Sequence, residues 1–220
     1  MKYDAILFDC DGVLVDSEII TIGVLQQILH EMGWQLTLQE CMKLFVGHLV
    51  QDQSAMIAQH TGVQIDDAWI DAFRLRRNQA LQDKLVAIPH IHEALSAITS
   101  IYGKKIACAS GADRAKVVLQ LTKTGLLHFF EGRIFSGVEM PKSKPAPDVY
   151  LAAAAALGVD PKQCAVIEDS TTGATAGVAA GCTVFAFCPD EIGHSSPEAM
   201  RAVGASEVFT HMKNLPALLI

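Results

Sequence analysis

No apolar stretch in this sequence approaches the ~20 residues that a membrane-crossing helix needs, so a bilayer-spanning segment is not expected. Positive charge is scarce. The 220 residues carry 17 lysines and arginines against 24 acids, a net charge of −7 with a pI near 5.5, which argues against nonspecific nucleic-acid binding. A local basic site for an anionic substrate is still compatible with that balance. Paired-cysteine motifs are missing as well: Cys10, Cys41, Cys108, Cys164, Cys182 and Cys188 are scattered, with no Cys-x-x-Cys and no zinc spacing. They read as buried reduced thiols and imply a cytoplasmic protein. Met1-Lys2-Tyr3-Asp4 runs straight into an apolar segment, leaving no room for a cleaved leader. Internal repeats and low-complexity tracts are also absent.

What is present is a globular composition. Half of the residues are apolar and 19% are charged, so native disorder is not expected. The length suits one core, or a core with a smaller insertion. Ala5-Ile6-Leu7-Phe8 is a short apolar run of the kind that forms a fully buried strand. It leads into Asp9-Cys10-Asp11-Gly12-Val13-Leu14-Val15-Asp16-Ser17. Carboxylates at i and i+2 share one side of an extended backbone, and Gly12 lets the chain turn sharply away from them. Ligands of open α/β sheets bind just beyond the carboxyl ends of the strands, which makes Asp9 and Asp11 active-site candidates. The plainer alternative is a solvated turn, because Asp and Gly are common turn residues.

Apolar residues Ile20, Val24, Leu25, Ile28, Leu29 and Met32 recur at helical spacing, and Gly33 marks a stop. Thr37-Leu38-Gln39-Glu40 has the form of a capping box. Further helices are expected over 51–60 and 66–85, so the stretch from Ser17 to Lys84 is helical without a strand. After Ile88-Pro89 an α/β alternation begins. Strands are expected at 105–109, 133–135, 164–167, 183–186 and 207–209, with helices over 91–102, from Asp113 to Thr124, and over 147–157 and 173–180. Strands alternating with helices predict an α/β fold, a Rossmann-like parallel sheet core interrupted by an all-helical insertion. The boundaries are 1–15 and 86–220 for the core and 16–85 for the insertion.

Three later strands also end on polar residues. Ser110-Gly111 offers a hydroxyl and free backbone N–H groups suited to a phosphate oxygen, although Ser110 alone reads better as an ordinary turn or cap. Lys144 sits beside the rigid Pro145, ahead of a proline-started helix. Glu168-Asp169-Ser170 adds carboxylates that form a hard-oxygen site suited to Mg²⁺, or cap the next helix.

Taken together, Asp9-x-Asp11-Gly12-x-Leu14-x-Asp16-Ser17, Ser110-Gly111, Lys144-Pro145-x-Pro147-Asp148 and Glu168-Asp169-Ser170 resemble the four motifs of the haloacid dehalogenase-like hydrolases, in the family's order. The helical insertion resembles the C1 cap of the β-phosphoglucomutase and phosphoglycolate phosphatase branch. The resemblance implies that Asp9 attacks phosphorus to give an aspartyl-phosphate. It implies that Asp11 protonates the leaving oxygen and later takes a proton from water. It places Mg²⁺ on Asp9, the Asp11 carbonyl and Asp169 with Glu168 close by, and phosphoryl oxygens on Ser110, Gly111 and Lys144.

Departures from relatives narrow the subclass. Asp11 speaks against a dehalogenase, which has no alkoxide to protonate. Mutases of this branch carry a histidine shortly after the position of Glu18, where this chain has Ile19-Ile20-Thr21, and cationic residues around the cap glycine, where Gly47 is flanked by Val46 and His48. Lys43 is a poor candidate for the Schiff-base lysine of a phosphonatase. Substrate selection is expected in the cap from Glu18 and His48, with Lys43 and Arg74, Arg76 and Arg77 as further candidates. Hinges are expected near Val15-Asp16 and over 84–88, so that the cap closes over the site and excludes water. His90 stands where many relatives have glycine. The resulting expectation is a monomeric, Mg²⁺-dependent phosphatase of a small soluble metabolite: a sugar phosphate, a sugar-acid phosphate or a phosphoglycolate-like compound. It has no nucleic-acid or membrane partner. A phosphosugar mutase and a catalytically silent phosphometabolite-binding protein are the alternatives.

Overall fold

The computed structural model describes residues 2–189 and 195–219. Six strands form one sheet: β1 (Ala5–Phe8), β2 (Ile106–Ser110), β3 (Ile134–Ser136), β4 (Cys164–Glu168), β5 (Thr183–Phe187) and β6 (Glu207–Phe209). Their spatial order is β3-β2-β1-β4-β5-β6 and every pairing is parallel. The expected α/β, Rossmann-like parallel sheet is therefore observed. Strands β1, β2 and β4 are buried at every position, which explains their continuous apolar reading without alternation.

The chain divides into two compact units, 2–16 with 86–219 and Ser17–Leu85, within the described residues. The second unit holds α1 (Glu18–Glu31), α2 (Leu38–Phe45), α3 (Ser54–Thr61) and α4 (Asp67–Lys84), and no strand among the described residues. Its own core joins Leu25, Leu29, Cys41, Phe45, Ile57 and Phe73. The expected capping box is formed: Thr37 Oγ1 accepts from Glu40 N at 3.2 Å, and Thr37 N donates to Glu40 Oε2 at 2.8 Å. The helix expected over 51–60 is instead a short 3₁₀ turn, Val50–Gln53, followed by α3.

The first unit surrounds its sheet with α5 (Ile91–Tyr102), α6 (Arg114–Lys123), α7 (Leu127–Phe130), α8 (Asp148–Leu157), α9 (Thr171–Ala179), α10 (Pro197–Ala202) and α11 (Leu215–Leu219). Its core packs Leu7, Ala107, Val166 and Val184 against Val149, Tyr150, Ala153, Ala154, Ala174 and Ala176. Small residues on α8 and α9 permit that close approach. At Gly177 an added Cβ would lie 2.8 Å from Val184 Cγ2. Within this unit the segments on either side of the helical insertion run together, with Asp16 N donating to Val86 O at 3.1 Å and Ile88 N to Leu14 O at 3.1 Å.

His90 begins α5 at φ 67° and is the one non-glycine residue at positive φ among the described residues. That conformation strains an L residue by about 1–2 kcal/mol, and glycine adopts it freely at some entropic cost. His90→Gly is expected to raise stability by about 0.5–1 kcal/mol, seen as a higher urea midpoint with an unchanged slope. An unchanged or lower midpoint would show that the imidazole compensates the strain.

Candidate active site

In the order β3-β2-β1-β4-β5-β6, successive connections leave β1 on opposite sides. The crevice at the carboxyl ends of β1, β2 and β4 is therefore the topological switch point, where such sheets bind ligands. Asp9 follows β1 there, Ser110 ends β2 and Glu168 ends β4. Asp9 N donates to Ile167 O at 3.0 Å, which extends the ladder and sets Asp9 beside Glu168 and Asp169.

Lys144 ties this cluster together. Its Nζ donates to Asp9 Oδ1 at 2.6 Å, Glu168 Oε1 at 2.7 Å and the Tyr150 hydroxyl oxygen at 2.9 Å. Tyr150, wholly buried on α8, donates its own hydroxyl to Glu168 Oε1 at 2.6 Å, and its ring lies 4.7 Å from the ammonium. Burial by itself would lower the Lys144 pKa, but the carboxylates of Asp9 and Glu168 outweigh it and hold the ammonium protonated. Asp9 is pushed up to about 7: burial raises it most, Lys144 opposes, and Glu168 and Asp11 raise it further. Metal-free Asp9 thus resists ionisation at the place where a nucleophile is expected.

Glu168 is committed on both oxygens. While Oε1 takes Lys144 and Tyr150, Oε2 accepts from Asp169 N at 3.2 Å and from Ser170 N and Oγ at 3.3 and 3.1 Å. Two glycines make room for these acids. An added Cβ at Gly173 would stand 1.7 Å from Glu168 Oε1, and one at Gly12 would stand 2.0 Å from Asp169 Oδ2. Gly12 also lies at φ 78°, the left-handed turn expected after the second aspartate. The cap of α9 is Ser170, whose Oγ accepts from Gly173 N at 3.1 Å.

Asp11 is anchored from α6, with Oδ1 accepting from Lys116 Nζ and from Gln120 Nε2, each at 2.7 Å. Ser110 Oγ accepts from Ala112 N at 3.0 Å, so it does shape the turn through Gly111. The expected helix cap at Asp113 is present, accepting from Lys116 N at 2.9 Å. Glu18 opens α1, half-buried, and His48 lies exposed in the turn after α2. Both belong to the helical unit rather than to the sheet unit that carries the cluster just described.

The sequence model of the family described as haloacid dehalogenase-like hydrolase matches residues 3–181. The chain belongs to the haloacid dehalogenase-like hydrolases. This hydrolase is 31% identical to a 6-phosphogluconate phosphatase of Escherichia coli (strain K12), over 99% of this chain and 95% of that protein. It is 27% identical to a fructose-1-phosphate phosphatase of the same organism, over 82% of this chain and 94% of that one. Among solved structures, a haloacid dehalogenase-family hydrolase of Deinococcus radiodurans R1, determined with bound phosphate and sodium, superposes with a TM-score of 0.79 at 35% identity. That match covers 99% of this chain and 95% of the other.

The donor set of this family member fits a hard divalent cation. Carboxylate oxygens of Asp9, Glu168 and Asp169, all buried, lie within 4.8 Å of one another, and oxygen donors select Mg²⁺ over softer metals. Because Glu168 is already shared between Lys144, Tyr150 and the Ser170 turn, the ligand role suits Asp9 and Asp169 better. Sequence reading missed Tyr150, Lys116 and Gln120. Lys116 and Gln120 lie on α6 beyond the Ser110-Gly111 motif and Tyr150 in the first turn of α8, and each could have been found as a polar or aromatic residue on an otherwise apolar helix face. Among the described residues no helix is long and apolar enough to cross a membrane.

Proposed function

We propose that this hydrolase is a Mg²⁺-dependent phosphatase that cleaves a small phosphorylated sugar or sugar acid in the cytoplasm, through a phosphoryl group carried on Asp9. The observation behind this reading is the Asp9–Lys144–Glu168 arrangement, with Asp169 beside it, at the sheet's switch point. Phosphatases of 6-phosphogluconate and fructose 1-phosphate among the relatives support the substrate class.

The Asp9 carboxylate attacks phosphorus, forming its O–P bond as the ester P–O bond breaks. Asp11 gives its proton to the departing alkoxide. A water molecule then attacks phosphorus, Asp11 takes that proton back, and the Asp9 O–P bond breaks to release inorganic phosphate. Lys144, Ser110 and the Gly111 amide hold the phosphoryl oxygens while charge redistributes. Glu168 keeps Lys144 aimed. Mg²⁺ on Asp9, Asp169 and the Asp11 carbonyl oxygen, when bound, supplies positive charge that lets an anionic carboxylate approach an anionic phosphate. Selectivity is assigned to the helical unit, with Glu18 and His48 as the substrate-binding candidates.

A panel of phosphorylated metabolites assayed for phosphate release tests the activity. Sugar and sugar-acid phosphates should be turned over, with free phosphate rather than a positional isomer as product, and excess chelator should stop the reaction. Phosphate release that is indifferent to chelation would overturn the metal dependence, and isomerisation without release would overturn hydrolysis. The raised pKa of Asp9 adds a second check, since ligation needs the ionised carboxylate. Mg²⁺ is expected to raise Tm more at pH 8 than at pH 5, with the change centred near neutrality in a series of thermal melts. An equal increment at both pH values would place the ion elsewhere.

A further inference from the structure

Asp11 is held by two side chains that belong to none of the motifs. Lys116 and Gln120 stand four residues apart on α6, on the same face of the helix, and both donate to a single atom, Asp11 Oδ1. They are 6% and 0% exposed. A lysine and a glutamine are seldom placed on the buried face of a helix, because each loses hydration that only a well-aimed partner restores. Here the partner is the same carboxylate oxygen for both. Two more bonds fix the donors themselves. The Asp113 cap accepts from Lys116 N at 2.9 Å and locks the first turn of α6. Cys10, between the two aspartates, donates Sγ–H to Gln120 Oε1 at 3.5 Å, so the amide is oriented with its NH₂ toward Asp11.

We propose that Lys116 and Gln120 are positioning residues that set the plane of the Asp11 carboxyl and hold it in one orientation. This rests on the reading of Asp11 as the group that passes a proton. With Oδ1 held by two N–H donors from one helix face, the carboxyl group is braced against rotation and keeps one orientation toward the leaving oxygen. Orientation of this kind matters where the proton is needed in flight and matters little where it is not.

The test separates two leaving groups. An alkoxide must be protonated as it departs, whereas p-nitrophenolate leaves as the stable anion. Single-turnover cleavage, with Mg²⁺-loaded enzyme in excess, is measured for p-nitrophenyl phosphate and for 6-phosphogluconate, or for whichever alkyl phosphate of the panel is turned over fastest. Lys116→Met, which keeps the length of the buried stem, is expected to slow alkyl phosphate cleavage by about 10- to 100-fold, part of the usual general-acid contribution. Nitrophenolate release should fall less than about threefold, and KM should stay within about twofold of wild type, because phosphate binding is untouched. Gln120→Met should shift the two esters in the same unequal way and carries the test if the lysine variant does not fold. The double variant should lose less than the product of the single effects, since both act through one atom.

Equal losses for the two esters, or a change confined to KM, would overturn the proposal by making Lys116 a phosphate ligand. Full activity in both single variants would overturn it too. In each of these outcomes wild-type protein still turns over both esters, so the phosphatase reading stands. Wild-type protein that cleaves neither ester would remove that reading and this proposal together.

Discussion

Asp9→Asn is expected to lower turnover by about 10⁴-fold or more, the scale seen when a nucleophile is removed from a constellation that acts as a unit. Folding should survive the change. The amide keeps the size of the side chain, and Lys144 retains Glu168 and Tyr150 as partners. The sign of the stability change is set by the Asp9 pKa, which lies at about 7 in the folded protein against 3.8 for a free carboxyl. The folded state then binds the proton more tightly than the unfolded chain, so the stability of metal-free protein falls as pH rises from about 4 through about 7. At pH 8 the ionised, desolvated Asp9 works against the metal-free fold. In chelator, the Asp9→Asn variant should therefore melt higher than wild type at pH 8 and at about the same temperature at pH 4. Substantial activity in the purified variant would remove Asp9 as nucleophile. A lower Tm at pH 8 would show that the Lys144 pair outweighs desolvation.

The second large effect concerns a residue with no functional group. Gly173→Ala introduces a methyl 1.7 Å from Glu168 Oε1 and 2.1 Å from its carboxyl carbon. The carboxylate has little room to give way, because Oε1 holds Lys144 and Tyr150 while Oε2 holds the Ser170 turn. Helix propensity alone favours alanine over glycine in α9 by about 1 kcal/mol. Overpacking a full core is unfavourable by about 1–3 kcal/mol, and this overlap is severe, so the net expectation is destabilisation. Activity should fall by about 10²- to 10³-fold as Lys144 loses its aim, the scale of losing one preorganised donor. Gly23→Ala in α1 is the control, since nothing lies within 4 Å of a Cβ there. That substitution should stabilise by about 0.5–1 kcal/mol. If Gly173→Ala also stabilised and left activity unchanged, the tight seat of Glu168 would not be a working part of the site.

These two substitutions mark how far reading from sequence reached. The acids at the ends of β1 and β4 and the Ser110-Gly111 turn stood out in the sequence because each closes a short apolar strand, where a polar residue has a position as well as a type, and Lys144 stood out beside the rigid Pro145. The helices α1, α4 and α8 were legible as long helical stretches, the first with Gly33 as its stop. Shorter elements were not: α7, α10 and α11 span four, six and five residues, too few for an amphipathic period to show. The same limit hid the break between the Val50–Gln53 turn and α3.

Tyr150, Lys116 and Gln120 escaped for another reason. The carboxylates they serve lie 18, 105 and 109 residues away in the chain, so a polar or aromatic residue on an apolar helix face signals burial without naming the group it meets. Gly173 read only as part of a small-residue helix, since its close approach to Glu168 exists only once α9 packs on β4.

By itself, then, the sequence determined the parallel α/β core, the helical insertion and the type and order of the charged groups, because burial periodicity and turn chemistry are local. Only the tertiary structure decided which oxygen each donor meets. Placing β1 between β2 and β4 brings Lys144, Glu168 and Asp9 within hydrogen-bond reach, and it gives Glu168 to Lys144 and Asp11 to α6. Those assignments depend on distances of a few ångströms between segments far apart in the chain, and packing alone sets them.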